Sequence, residues 1–170
     1  MIQLTLRNLR IFFRDRSAVF FSLLAVFIII GLYVLFLGDM VSGGEMSSEE
    51  TRFLMDTWIM AGLLAVTSVT TTMGAFGIMV EDQHKKLIKD FNCSPIKRSE
   101  IVGGYLLSTF CIGIIISVIA LVLGQGYIVF LGGKLLSFSQ IIRVFGVLII
   151  SVLASSSMVA LLVSFFKSNN

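Results

Sequence analysis

Charge is the scarcest property of this sequence. Asp, Glu, Lys and Arg make up 14% of its 170 residues, where a soluble domain carries about a quarter. Histidine and proline occur once each, as His84 and Pro95, and cysteine twice. Each shortage excludes something. With 56% hydrophobic residues and a mean hydropathy of +0.99, so little charge excludes a water-soluble domain and puts the chain in a bilayer. Cys93 lies in a charged stretch and Cys111 in an apolar one, an ill-matched disulfide pair and too few ligands for a metal site. The net charge of +3 does not point to nucleic acid, because the basic residues flank apolar runs instead of forming a patch with interleaved aromatics.

What is present is a set of long uncharged runs. Residues 17–38, 57–80, 101–123 and 144–166 can each cross about 30 Å of hydrocarbon at a rise of ~1.5 Å per residue. The third run stays uncharged to residue 133, too short for two spans and a turn, so it reads as one helix to about Leu123 with an apolar, Gly-containing extension. The expected fold is all-α: a polytopic membrane helix bundle of four spans, one domain over residues 1–170. The basic N-terminus before an apolar run has the outline of a signal sequence. The run is too long for one and no small-x-small cleavage site follows, so an uncleaved span is expected.

Sidedness follows from the short connecting segments, since translocating Lys and Arg is disfavoured. Arg7, Arg10, Arg14 and Arg16 precede span one, Lys85, Lys86, Lys89, Lys97 and Arg98 lie between spans two and three, and Lys167 follows span four. The other side has only Arg52, Lys134 and Arg143. Both termini are therefore expected in the cytoplasm, and the acidic 39–56 loop with its "SGGEMSSEE" outside as a flexible connection. Residues 1–16 have helical periodicity, with Ile2, Leu6, Leu9 and Phe13 on one face and Arg7, Arg10 and Arg14 on an adjoining one. An interfacial helix is expected there, apolar edge in the acyl boundary and arginines towards phosphate; the plainer alternative is a positively charged flank.

The spans contain no Asp, Glu, Lys, Arg, His or Pro, which argues against an ion-coupled relay or broken-helix transporter within this chain. Serines are plentiful, as in Ser155, Ser156 and Ser157, but the only histidine lies outside every span, so the base a nucleophile needs is missing. No phosphate-binding loop occurs either, because Gly133-Lys134 is followed by leucine and has no glycine at the required spacing. The chain is expected not to be an enzyme and to hold no cofactor; work done through it takes its energy from a partner. Span two carries a stripe of Thr67, Thr70, Thr71, Gly74 and Gly77 within roughly a third of the helix circumference. The stripe suits either close helix packing or the wall of a substrate path. Gly104 with Ser108 and Gly113 with Ser117 are small-xxx-small pairs that suit packing in span three.

Residues 81–100, "EDQHKKLIKDFNCSPIKRSE", hold nine of the 23 charged side chains between two uncharged runs. Leu87, Ile88 and Phe91 cluster on one side of a helical wheel with His84, while Asp82, Lys85, Lys86 and Lys89 take the other. Glu81 with Lys85 and Asp82 with Lys86 are acid-before-base pairs one turn apart, and Ser94-Pro95 reads as a helix start leading into span three. A short amphipathic helix over 81–94 is expected, its apolar edge against the bilayer or a protein partner.

"LTLRNLRIFFRDRSAVFFSLLAVFIIIGLYVLFLG" resembles the N-terminal signature of ABC-2 type transporter permeases: an interfacial helix, an Arg-Asp-Arg elbow and a first span ending in Leu-Gly. "MVEDQHKKLIKDFNCSPIKRSEIVGGY" resembles the cytoplasmic loop of the same family, with its acidic start, amphipathic helix, Ser-Pro-Ile-basic stretch and Ile-x-x-Gly at the start of span three. The resemblance implies a bacterial inner-membrane permease subunit that pairs with a second permease half and with cytosolic ATPase subunits. Together these export a drug, an antibiotic peptide or another amphiphile. It also implies that residues 81–94 form the coupling helix, with Leu87, Ile88, Phe91 and His84 docking in the ATPase. Two departures stand out. Gln83-His84-Lys85-Lys86 replaces a Glu-x-Gly-Thr turn, and four spans stand where members usually have six. The second departure carries the alternative expectation of a truncated, non-transporting protein that binds the ATPase or another permease half.

Overall fold

The computed structural model describes residues 1–42, 49–87, 97–130 and 136–166. They form five helices: α1 (Ile2–Arg14), α2 (Arg16–Ser42), α3 (Glu49–His84), α4 (Arg98–Phe130) and α5 (Phe138–Phe166). Among the described residues there is no strand. The fold is all-α, and α3, α4 and α5 are long and apolar enough to cross a membrane; α1 and α2 make a fourth such element if the bent pair is taken as one span. At 36 residues α3 is about 54 Å long, well beyond a hydrocarbon core of roughly 30 Å. Its charged ends, with Asp56 towards one and Glu81 and Asp82 towards the other, therefore reach past the apolar layer.

Two helix starts show their local cause. Asp15 has extended backbone, and its Oδ1 accepts the Ser17 and Ala18 backbone N–H groups at 3.0 and 3.3 Å. It thus caps the first turn of α2 while α1 ends behind it, and the two helices meet at 73°. At α5, the Gln140 side chain reaches back to accept the Ser137 N–H at 2.8 Å, half of a capping box. That cap starts the helix at Phe138, earlier than the expected span at 144, and places exposed Arg143 inside it. The far end of α4 differs too: the apolar stretch beyond Leu123 is helical through Phe130. Within this stretch Gly124 leaves room for the Met60 side chain of α3, which a Cβ there would run into.

The polarity of the bundle is inverted relative to a soluble protein. Ser22, Thr67, Ser68, Thr71, Thr72, Ser108, Thr109, Ser117, Ser155 and Ser156 are buried, whereas Met73, Val122, Ile150 and Leu161 lie on the outside. Lipid is as apolar as leucine, so what drives these helices together is close packing and hydroxyl bonding. Several of these hydroxyls are satisfied within their own helix: Thr67, Ser68 and Thr72 donate to the carbonyls of Leu63, Leu64 and Ser68 at 2.7–2.8 Å, and Ser68 and Ser117 face each other across α3 and α4 at 3.5 Å. The α3–α4 contact is the largest in the bundle. Gly113 of α4 sits under Val152 of α5 and beside Thr72 of α3, so close that an added Cβ would lie 2.6 Å from a Val152 methyl.

Candidate functional site

The most polar arrangement lies where α1 crosses the ends of α3 and α4. On α1, Thr5, Asn8 and Phe12 recur at helical spacing and are buried, while Ile2 and Leu6 are 72% and 61% exposed and Phe13 faces outward as well. The inward edge of α1 is thus a third stripe, neither the apolar edge nor the arginine edge read from the sequence. Phe12 enters the apolar cluster of Ala75, Ile78, Ile101, Tyr105, Ile112 and Ile116. Asn8 donates from Nδ2 to Ser108 Oγ at 3.2 Å, and Ser108 donates to the Tyr105 carbonyl at 2.8 Å. The Thr5 hydroxyl lies 3.3 Å from the Gly104 carbonyl and 3.2 Å from that of Met1. Gly104 is what allows this approach, since a Cβ there would stand 2.8 Å from Leu4 Cδ2.

Asp82 is the centre of the site. Sequence reading placed it on the solvated side of the 81–94 helix, paired with Lys86; in the structure it is buried, because α1 and α4 close over the last turn of α3. Arg7 donates to it in bidentate fashion, Nη1 to Oδ2 at 2.8 Å and Nη2 to Oδ1 at 3.1 Å, and the Tyr105 hydroxyl donates to Oδ2 at 2.6 Å. One carboxylate thereby ties three helices. The hydrogen bond to Asp82 holds Arg7 above its already high ordinary pKa, so the cation is present at any working pH. Breaking a buried ion pair from one side costs roughly 3–5 kcal/mol, and the 35% exposure of the Arg7 side chain puts this pair towards the lower end.

Beside this clasp an open cavity of about 330 Å³ is lined by Arg7, Arg14, Asp15, Glu81, Lys85 and Leu87, among others. Glu81 and Lys85 form the expected pair at 2.7 Å, on the exposed surface. The 81–94 segment is not one continuous helix from Glu81: α3 runs through His84, then the Lys86 N–H bonds the Gln83 carbonyl at 3.0 Å. Lys86 takes the left-handed conformation, with φ of 59°. His84 is exposed and Leu87 half-buried. Ile88 and Phe91, with the Ser94-Pro95 helix start, lie outside the described residues.

The small-residue stripe of α3 divides. Thr67 and Thr71 are buried; Thr70, Gly74 and Gly77 are exposed, and among the described residues a Cβ at Gly74 would meet only the Ser22 hydroxyl at 3.8 Å and one at Gly77 would meet nothing within 4 Å. The stripe residues and the clasp therefore do not form one site. Sequence reading missed Thr5, Asn8 and Tyr105, set Asp82 on the solvated side and read Ser108 only as a packing position beside Gly104. The Thr5–Asn8–Phe12 spacing was a usable signal for the first two, but nothing local announces a partner 75 residues away. Among the described residues no three His, Cys, Asp or Glu side chains are placed to hold a metal ion. Set against family models, curated proteins and solved structures, the chain shows no match in any of the three.

Proposed function

We propose that this chain is the membrane-spanning permease subunit of a bacterial ABC-type exporter. In this reading it couples ATP hydrolysis by a separate cytosolic subunit to the export of an amphiphile. The observation that carries the reading is the Arg7–Asp82 pair. It brings the basic N-terminal helix and the start of the charged segment to one end of an apolar bundle, as a cytoplasmic face rich in Lys and Arg requires. The bend at Asp15 supports the same arrangement: with α2 upright in the bilayer, α1 lies across it at 73° with Ile2, Leu6 and Phe13 turned towards lipid and Arg10 and Arg14 towards headgroups. Half-buried Leu87 then begins a segment that, with Ile88 and Phe91, docks in a groove of the ATPase. The outward Thr70–Gly74–Gly77 edge of α3 is where a second permease half can approach closely.

The test is purification of the tagged chain from its native membrane, identification of any co-purifying nucleotide-binding subunit, and measurement of ATP hydrolysis with and without the permease. A bound ATPase with stimulated hydrolysis is expected. Leu87→Asp and Phe91→Asp should release it, since each large apolar side chain contributes about 1.5–3 kcal/mol of burial and the new charge is left unpaired. Lys86→Ala and Lys89→Ala should retain it. Retention by the aspartate variants overturns the docking face. Binding without stimulated hydrolysis selects the non-transporting, partner-binding protein instead.

A further inference from the structure

Asp82 stands one turn before the left-handed break at Lys86, so force on the segment beyond Lys86 that reaches α3 enters through its last turn. A left-handed residue is a common way for a helix to end, and motion beyond it reaches the bundle only if the last turn of the helix is held. Three things hold this one. Arg7 grips Asp82 with both nitrogens of its fork, which fixes angle as well as distance. Tyr105 grips the same carboxylate from α4. The third side of the triangle, α1 to α4, is closed by Asn8 on Ser108 and by Leu4 packed on Gly104. An apolar contact of the same volume would hold α1 at least as firmly as a buried ion pair, but it would let the helices slide.

We propose that Asp82, clasped by Arg7 and Tyr105, is a positioning residue that makes α1, the end of α3 and the start of α4 move as one body, so that displacement of the segment after Lys86 turns α3 and α4 together. The proposal rests on the permease reading for the source of the displacement and on the bonds around Asp82 for the unit that moves.

The experiment has two arms. In the first, spin labels replace exposed Phe13 on α1 and exposed Val102 on α4 in a Cys93→Ser, Cys111→Ser background, and their separation is measured on the purified chain in nanodiscs with no partner. A single narrow distance distribution is expected, broadened or split by Asp82→Asn and restored in the Arg7→Asp, Asp82→Arg exchange. In the second arm the ATPase is added. Asp82→Asn should keep the apparent affinity for the ATPase within about twofold while the stimulated turnover falls by about tenfold or more, and the exchange variant should recover most of it. Tyr105→Phe, which leaves the ion pair intact, should fall between the two and serves if Asp82→Asn fails to fold. An unbroadened distribution in Asp82→Asn, or unchanged stimulated turnover, overturns the proposal. Failure of the wild-type chain to bind or stimulate the ATPase overturns the permease reading instead, and the first arm still decides whether the clasp makes one body.

Discussion

Replacing Gly113 by alanine should destabilise the bundle out of proportion to one methyl group. The new Cβ would lie 2.6 Å from Val152 Cγ1, 3.7 Å from Cγ2 and 3.4 Å from Thr72 Cγ2, where carbon atoms normally rest about 3.5–4.0 Å apart. Val152 is fully buried and β-branched, with one strongly preferred rotamer in a helix, so its methyl has nowhere to turn. Relief requires α4 and α5 to separate by about 1 Å, and gaps of ~0.5–1 Å already forfeit a quarter to a half of each contact they open. Overpacking of this kind costs about 1–3 kcal/mol. Val152→Ala alone should cost about 1 kcal/mol, less than in water because lipid-side transfer contributes little. In the double variant the alanine at 113 fills the space vacated at 152. Its destabilisation should fall short of the sum of the single effects by about 1–2 kcal/mol. The assay is reversible unfolding in mixed detergent micelles followed by circular dichroism. Gly113→Ala as stable as wild type, or a double variant equal to the sum within about 0.5 kcal/mol, would refute the packing argument.

The same assay checks three contrasting changes. Gly74→Ala should stabilise by about 0.5–1 kcal/mol, because the helix gains alanine's propensity while the new Cβ meets the Ser22 hydroxyl at an ordinary 3.8 Å; a clear loss would mean that this edge is packed more closely than the structure has it. Thr71→Val should be neutral or stabilising by up to about 1 kcal/mol, since it removes a buried hydroxyl that has no hydrogen-bond partner among the described residues, and a clear loss would reveal a partner for that oxygen. Lys86→Gly should stabilise by about 0.5–1 kcal/mol, the relief of a left-handed backbone offset in part by unfolded-chain entropy. Destabilisation there would show that the lysine side chain holds the turn.

Some of this protein is written locally and some is not. Composition and run length alone determined an all-helical chain with apolar helices of membrane-crossing length, because absence of charge over twenty-odd residues is a property of each segment by itself. Helical spacing put Ile2, Leu6 and Phe13 on one edge of α1, and they are outward; Leu9 of the same edge packs on the core, and Arg7 turns in to Asp82 instead of out with Arg10. The start of α5 has a local signal as well, Ser137 followed three residues later by Gln140, and this cap begins the helix ahead of Arg143 and of the uncharged run. Gly104 and Gly113 were legible as packing positions from their small-xxx-small spacing; only the tertiary structure decided that Asp82 is buried under Arg7 and Tyr105, which side chains those glycines meet, and that the Thr67–Gly77 stripe divides between inside and outside. A helical wheel supplies angles within a helix but not its rotation against its neighbours. In a soluble protein hydrophobicity supplies that rotation; here lipid and protein interior are equally apolar, so an outward leucine and an inward one read alike, and only the packed bundle tells them apart.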